Sequence, residues 1–178
     1  MDRVHSAGAK FDYEKAKWFN HEWIKQSEAG SLESGVRSLL AANGLDNINS
    51  EQLQQAITLV KDRCNLLPDF VQQLGFFFVA PTQWDTDAVK PKWNEAKKLF
   101  FAELIRNYEL AAVWDVATLE NNFKEIAAAN DLKPGELMLP FRIMLVGGKF
   151  GPGVFDIAVI LGREETIERI HKLIKNLN

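Results

Sequence analysis

The sequence predicts an all-α protein, two consecutive helical bundles joined by short connections. Three observations carry this. Apolar residues recur at steps of three and four through most of the 178-residue chain, the period of a helix with one buried face. Residues that cap and stop helices stand at the ends of those stretches. No run alternates apolar and polar over enough residues to demand a strand, and only "LVGG" (Leu145–Gly148) with its neighbours leaves that option open.

Taken in order, "DYEKAKWFNHEWIKQ" offers Asp12 as a cap and Tyr13, Ala16, Phe19, Trp23 and Ile24 as a stripe. "SLESGVRSLLAANGL" can start at Ser31, bury Val36, Leu39 and Leu40, and stop at Asn43-Gly44. A third helix starts at Ser50 and repeats Leu53, Ile57 and Val60; a fourth repeats Phe70, Leu74 and Phe77 before Pro81. "APTQWDTDAVKPK" (Ala80–Lys92) holds two prolines and several turn formers, and divides the chain into subdomains 1–80 and 81–178. Beyond it, a long helix places Trp93, Ala96, Phe100 and Leu104 on one face. Another starts at Asp115, with Leu119, Phe123 and Ile126, and ends near "NDLKPGE". The closing helix carries Glu164 and Glu165 early and His171, Lys172 and Lys175 late, an order that suits the helix dipole.

Composition narrows the function. Hydrophobic residues make up 47% and charged residues 25%, the profile of a soluble globular protein with a core. The longest apolar runs are too short to span a bilayer, and the first residues lack the apolar core of a secretion signal; a cytoplasmic, membrane-free protein is expected. With Cys64 as the one cysteine, no internal disulfide can form. A net charge of −3 argues against coating nucleic acid by bulk electrostatics and leaves room for a few well-placed cations.

Catalytic and metal chemistry find little support. His5, His21 and His171 do not stand at ligand spacing, so no metal site is expected. Cys64 beside Arg63 reads best as a small buried filler, with no histidine near in sequence. Glu164 and Glu165 are better explained as helix-start charges than as an acid–base pair. "GGKFGPG" (Gly147–Gly153) has its lysine in the wrong place for a Walker loop, and the wrong glycine spacing for a dinucleotide loop. It is either a helix–helix joint, with Gly147 in the left-handed end position, Pro152 setting the next helix and Gly153 allowing close approach, or a surface where Arg142, Lys149 and a helix start meet a base edge and its phosphate.

Two blocks resemble the C-terminal half of bacterial glutamyl-tRNA synthetases: "FDYEKAKWFNHEWI" near the start and "KPGELMLPFRIMLVGGKFGPGVFDIAVILGREETIERI" near the end, in matching order over Arg3 to Lys175. The resemblance implies a helical cage that reads a tRNA anticodon, with residues 1–25 the connection from a preceding part. The family's nucleotide-fold signatures do not occur here, so the chain is expected to be an excised, catalytically silent fragment, with Met1 added or coincidental. ATP and magnesium would serve the catalytic part of the parent glutamate–tRNA ligase, and no cofactor is expected in this piece.

By that resemblance, "VKDRCNLL" places reading of the third anticodon base on Arg63. "NNFKEIAAAN" brings Lys124 to the anticodon loop, and "LPFR" brings Arg142 into the same pocket. "GPGV" gives Gly151, Pro152 and Val154 as a loop whose backbone borders the bases, beside Lys149. The family often has leucine at positions 141 and 154, and threonine-glycine where this chain has Val146-Gly147. Each cation also has a plainer use: Arg63 pairing Asp62 or Asp69, Lys124 pairing Glu120. An arginine fork suits the edges of splayed, unpaired bases, and a few such contacts need no basic surface. The expected partner is the anticodon loop of a glutamate tRNA, bound by a monomer. The alternative is a helical protein–protein module without RNA. Of the tryptophans, Trp18, Trp23 and Trp93 are expected in the core, and Trp84 is the candidate for exposure.

Overall fold

The computed structural model describes residues 12–177. His5 and the opening of the first resembling block, through Phe11, lie outside the described residues. No strand occurs among the described residues, and "LVGG" is the end of a helix. The elements are α1 (Tyr13–Gln26), α2 (Ala29–Ala42), α3 (Ser50–Val60), α4 (Asp69–Phe78), α5 (Glu95–Leu110), α6 (Val116–Ala129), α7 (Pro134–Val146), α8 (Val154–Leu161) and α9 (Arg163–Leu177), with single 3-10 turns at Lys61–Arg63, Thr86–Ala88 and Lys90–Lys92.

The caps do what their chemistry allows. Asp12, Asn49, Asn94 and Asp115 each accept a hydrogen bond from the backbone N–H three residues on, satisfying a donor that the helix leaves orphaned. α2 ends as expected at Asn43-Gly44. Gly44 has φ 79°, its N–H donates to Ala41 O and that of Leu45 to Leu40 O, the paired closure of a Schellman end. Its start lies two residues before Ser31, with Glu28 as an N-cap that makes no side-chain bond.

α2, α3 and α4 pack together, and α5 packs on α6 and α9. α8 touches α3 and α4 on one side and α6, α7 and α9 on the other, so a single core runs through both halves. α7 is apolar nearly all round: Leu137, Pro140, Phe141, Ile143, Met144, Leu145 and Val146 are buried, as befits a central helix. Phe141 lies 5.5 Å from Phe123 and 5.9 Å from Phe155, centroid to centroid. Arg169, on α9, is 1% exposed. It donates from Nη1 to Phe76 O at 2.7 Å and Leu145 O at 2.6 Å, and from Nε to Glu165 at 2.6 Å. These carbonyls belong to the last turns of α4 and α7, where a cation is favoured.

Several expected core positions are corrected. On α1 only Ile24 is buried; Tyr13, Trp18, Phe19 and Trp23 are all exposed, because α1 meets the rest through the narrow face of Asn20, His21 and Ile24. On α5, Ala96 is exposed and Lys97 takes the buried place beside it; the Lys97 ammonium donates to Lys92 O at 2.9 Å, so its stem is covered and its charge still solvated by a carbonyl. Trp84 is half-buried against the core, not exposed, and its indole N–H is buried with no partner among the described residues. α8 begins at Val154 with Gly153 as N-cap; Pro152 sits buried ahead of it instead of opening it.

Candidate nucleic-acid interface

α3 ends at Val60, and the 3-10 turn Lys61–Arg63 redirects the chain. That turn is held from several directions. Lys61 Nζ donates to Ser27 O at 2.8 Å, and His21 Nδ1 donates to Cys64 O at 2.8 Å, so the ring proton lies on Nδ1. Asn20 Nδ2 donates to Asn65 O. Asp69 accepts from the N–H groups of Asn65 (2.8 Å) and Leu66 (2.9 Å); its carboxylate is thereby used as a local cap. Arg63 stays exposed and forms no ion pair with Asp62, Asp69 or any other acid among the described residues. Cys64 is fully buried, as expected. Burial, and then the charge of Asp69, push its thiol up to about 12.

The glycine joint is built from the end of α7. Gly147 has φ 81° and its N–H donates to Ile143 O at 2.9 Å. A side chain there would lie 2.7 Å from Gln83 O and 2.9 Å from Pro81 Cβ, so glycine is required twice over, by torsion and by space. The linker 80–92 fastens here: Asp85 N–H donates to Gly147 O at 2.8 Å, and Lys149 Nζ lies 3.2 Å from Asp85 Oδ2. Arg142 reaches over from α7 and gives Nη1 to Pro152 O (2.6 Å), Phe150 O (3.0 Å) and Gly151 O (3.1 Å). Three carbonyls share the two protons of one nitrogen, while Nε and Nη2 make no hydrogen bond among the described residues. Gly151, at φ 94°, lets the chain pass close to Ile157, Phe76 and Arg142.

Pro152 and Val154 are buried, so they can offer a ligand only backbone. Lys149 and Phe150 are exposed, and their N–H groups make no backbone hydrogen bond. The start of α8 is less inviting to an anion than its dipole suggests. The Asp156 carboxylate lies over it, where a side chain at Gly153 would collide with Oδ2, and already answers the positive end.

Burial, and then the like charge of Arg63, hold the Arg142 guanidinium below the ordinary arginine range. The two guanidinium groups are therefore close enough for one charge to act on the other. The structure ties Arg142 to the loop through the carbonyls of Phe150, Gly151 and Pro152, with Lys149 and Val154 flanking them in sequence; Arg63 joins this group only through its charge on Arg142. Lys124 is not tied to that group: on α6 it pairs with Glu120 at 2.7 Å, both partly exposed, the plainer use the sequence left open. Phe76, Phe150 and Asp85 are the residues that sequence reasoning passed over. Phe76 was one apolar residue among several; Phe150, an aromatic among glycines in a loop with no helical stripe to join, was the available signal.

An open groove of about 800 Å³ lies elsewhere, between α2–α3 and α6–α8, and its walls include Glu28, Glu51 and Asp156, carboxylates that repel a polyanion. Among the described residues no group of three or more His, Cys, Asp or Glu could hold a metal ion, and no helix is long and apolar enough to cross a membrane.

Comparison with known proteins gives this geometry a context. A family model described as an anticodon binding domain matches residues 13–174. The glutamate–tRNA ligase of Flavobacterium johnsoniae is 37% identical over 177 residues, covering 99% of this chain and 35% of the relative. That of Porphyromonas gingivalis is 36% identical with the same coverage. A crystal structure of a glutamate tRNA ligase from Elizabethkingia meningosepticum, in complex with its amino acid, superposes with a TM-score of 0.87 at 32% identity, covering 100% of this chain and 36% of that one. The chain thus spans about a third of the length of the relatives it matches.

Proposed function

The chain belongs to the anticodon binding domain family, and from that premise we propose that it recognises the anticodon loop of a glutamate tRNA as the C-terminal part of a glutamate–tRNA ligase. One observation carries the reading. Arg63 lies near enough for its charge to act on Arg142, and neither has a carboxylate partner among the described residues. Like charges left together are relieved by a ligand rich in acceptors, and an unpaired base with its phosphate is one. Arg63 contributes a free guanidinium fork for the third anticodon base. Arg142 contributes Nε and Nη2 while Nη1 shapes the loop. Lys149 trades a partly exposed aspartate for phosphate at small cost. The backbone around Gly151 to Val154 borders the bases. The whole ligase activates glutamate with ATP and magnesium elsewhere; this piece supplies recognition without catalysis.

Titration of the chain with glutamate and glutamine anticodon stem-loops at two salt concentrations tests this. The expected result is tighter binding of the glutamate loop that weakens as salt rises. Equal affinity for both, or none, refutes it. A second reading, a protein-docking module, is favoured by one feature: the exposed Tyr13, Trp18, Phe19 and Trp23 of α1. A protein partner held without salt-sensitive RNA affinity would support it.

A further inference from the structure

We infer that Phe150 is a stacking platform for one unpaired nucleobase beside Arg142, a reading that rests on the proposed anticodon recognition and adds a base-gripping residue to it. Phe150 is 49% exposed, although it lies in a segment whose other apolar members, Pro152, Val154 and Phe155, are buried. Exposed phenylalanines on loops are ordinarily mobile. This one is held. Its ring lies against Gly148, close enough that a Cβ there would stand 2.7 Å from Cε1 and 2.9 Å from Cδ1. Its centroid is 5.9 Å from that of Phe76, in an edge-on arrangement, and Phe76 is itself 8% exposed. Its carbonyl accepts from Arg142 Nη1 at 3.0 Å.

The consequence is a ring supported from within the protein and fixed through its own backbone by the guanidinium that the site already uses. A base lying on the open part of that ring has its edge next to a guanidinium with uncommitted donors. Stacking plus an arginine fork is the combination by which single-stranded bases are held. Glycine at 148 is what lets the Cδ1–Cε1 edge of the ring close on the chain, which gives that residue a use beyond the joint. Stacking tolerates any base and favours the larger π-surface, so Phe150 grips while the arginines choose.

The test uses the intact chain and glutamate anticodon stem-loops in which each unpaired loop base in turn is replaced by 2-aminopurine, whose fluorescence is quenched on stacking. The parent chain is expected to quench one position. Phe150→Ala is expected to lose that quench and to weaken binding by roughly five- to 150-fold, the range for a base–aromatic stack. Phe150→Trp should keep both. Phe150→Leu separates stacking from packing: it retains apolar bulk over Phe76 and is expected to behave like alanine. Parent-like affinity and quench in the alanine or leucine variant overturns the inference while leaving the anticodon reading intact. Failure of the parent itself to bind unmodified stem-loop with salt dependence overturns both.

Discussion

Arg63 and Arg142 stand within electrostatic reach of each other: after burial, the charge of Arg63 is what lowers the Arg142 guanidinium. One projects from the turn after α3 and the other from the middle of α7. Their roles differ. Arg63 is exposed and unpaired among the described residues; Arg142 is half-buried with one nitrogen committed to the loop.

Replacing Arg63 by alanine is therefore expected to leave thermal stability within about 0.5 kcal/mol of the parent, as for surface sites without partners. Binding of a glutamate anticodon stem-loop should weaken, and discrimination at the third base should fall by roughly 1–3 kcal/mol. Thermal melts and titrations with loops varied at that base check both halves.

At Arg142 the conservative change is informative. Arg142→Lys keeps the charge but replaces the planar fork with a point donor. It should retain the salt dependence of RNA binding while losing stability, because the shorter lysine stem leaves its ammonium out of reach of at least one of the three carbonyls, at about 1–3 kcal/mol for a buried orphan. Denaturant melts beside salt titrations separate the two effects.

Gly147→Ala should destabilise by about 2 kcal/mol or more. The left-handed torsion alone costs roughly 1–2 kcal/mol, and the added carbon must push Gln83 and Pro81 away. A denaturant midpoint within error of the parent would contradict this.

Glu33 supplies a pH dependence. It accepts from Arg37, Ser50 and Gln54, and these bonds, Arg37 first, hold its carboxyl at about 2 against an ordinary value of 4.5. A depressed folded-state pKa means the stabilisation is complete above about 4.5 and fades as pH falls toward 2. Melting temperatures of the parent and Glu33→Gln should differ most near neutral pH and converge across that window.

Cys64, with its thiol pushed to about 12, should resist thiol reagents at neutral pH in the native chain and react readily once unfolded. Timed labelling with and without denaturant measures it.

The helices were legible because their signals are local. Asp12, Asn43-Gly44 and Asp115 mark ends by chemistry that acts within a few residues. Burial on α1 was not legible: the period of Tyr13, Phe19 and Trp23 shows a face, while what covers a face depends on distant chain. The joint was half legible. The left-handed Gly147 could be read from its neighbours, but its fastening to Gln83 and Asp85 is a long-range contact between two stretches that each look like plain breaks. Trp84 misled for the same reason: polar neighbours in sequence said nothing of the core it meets.

Arg169 holds the closing carbonyls of α4 and α7 on a single nitrogen. The Phe76 side and the joint side of the patch consequently share one anchor and move as a unit. On the proposed reading, an anticodon loop would meet walls tied together before it arrives, so that less motional freedom would be surrendered on contact.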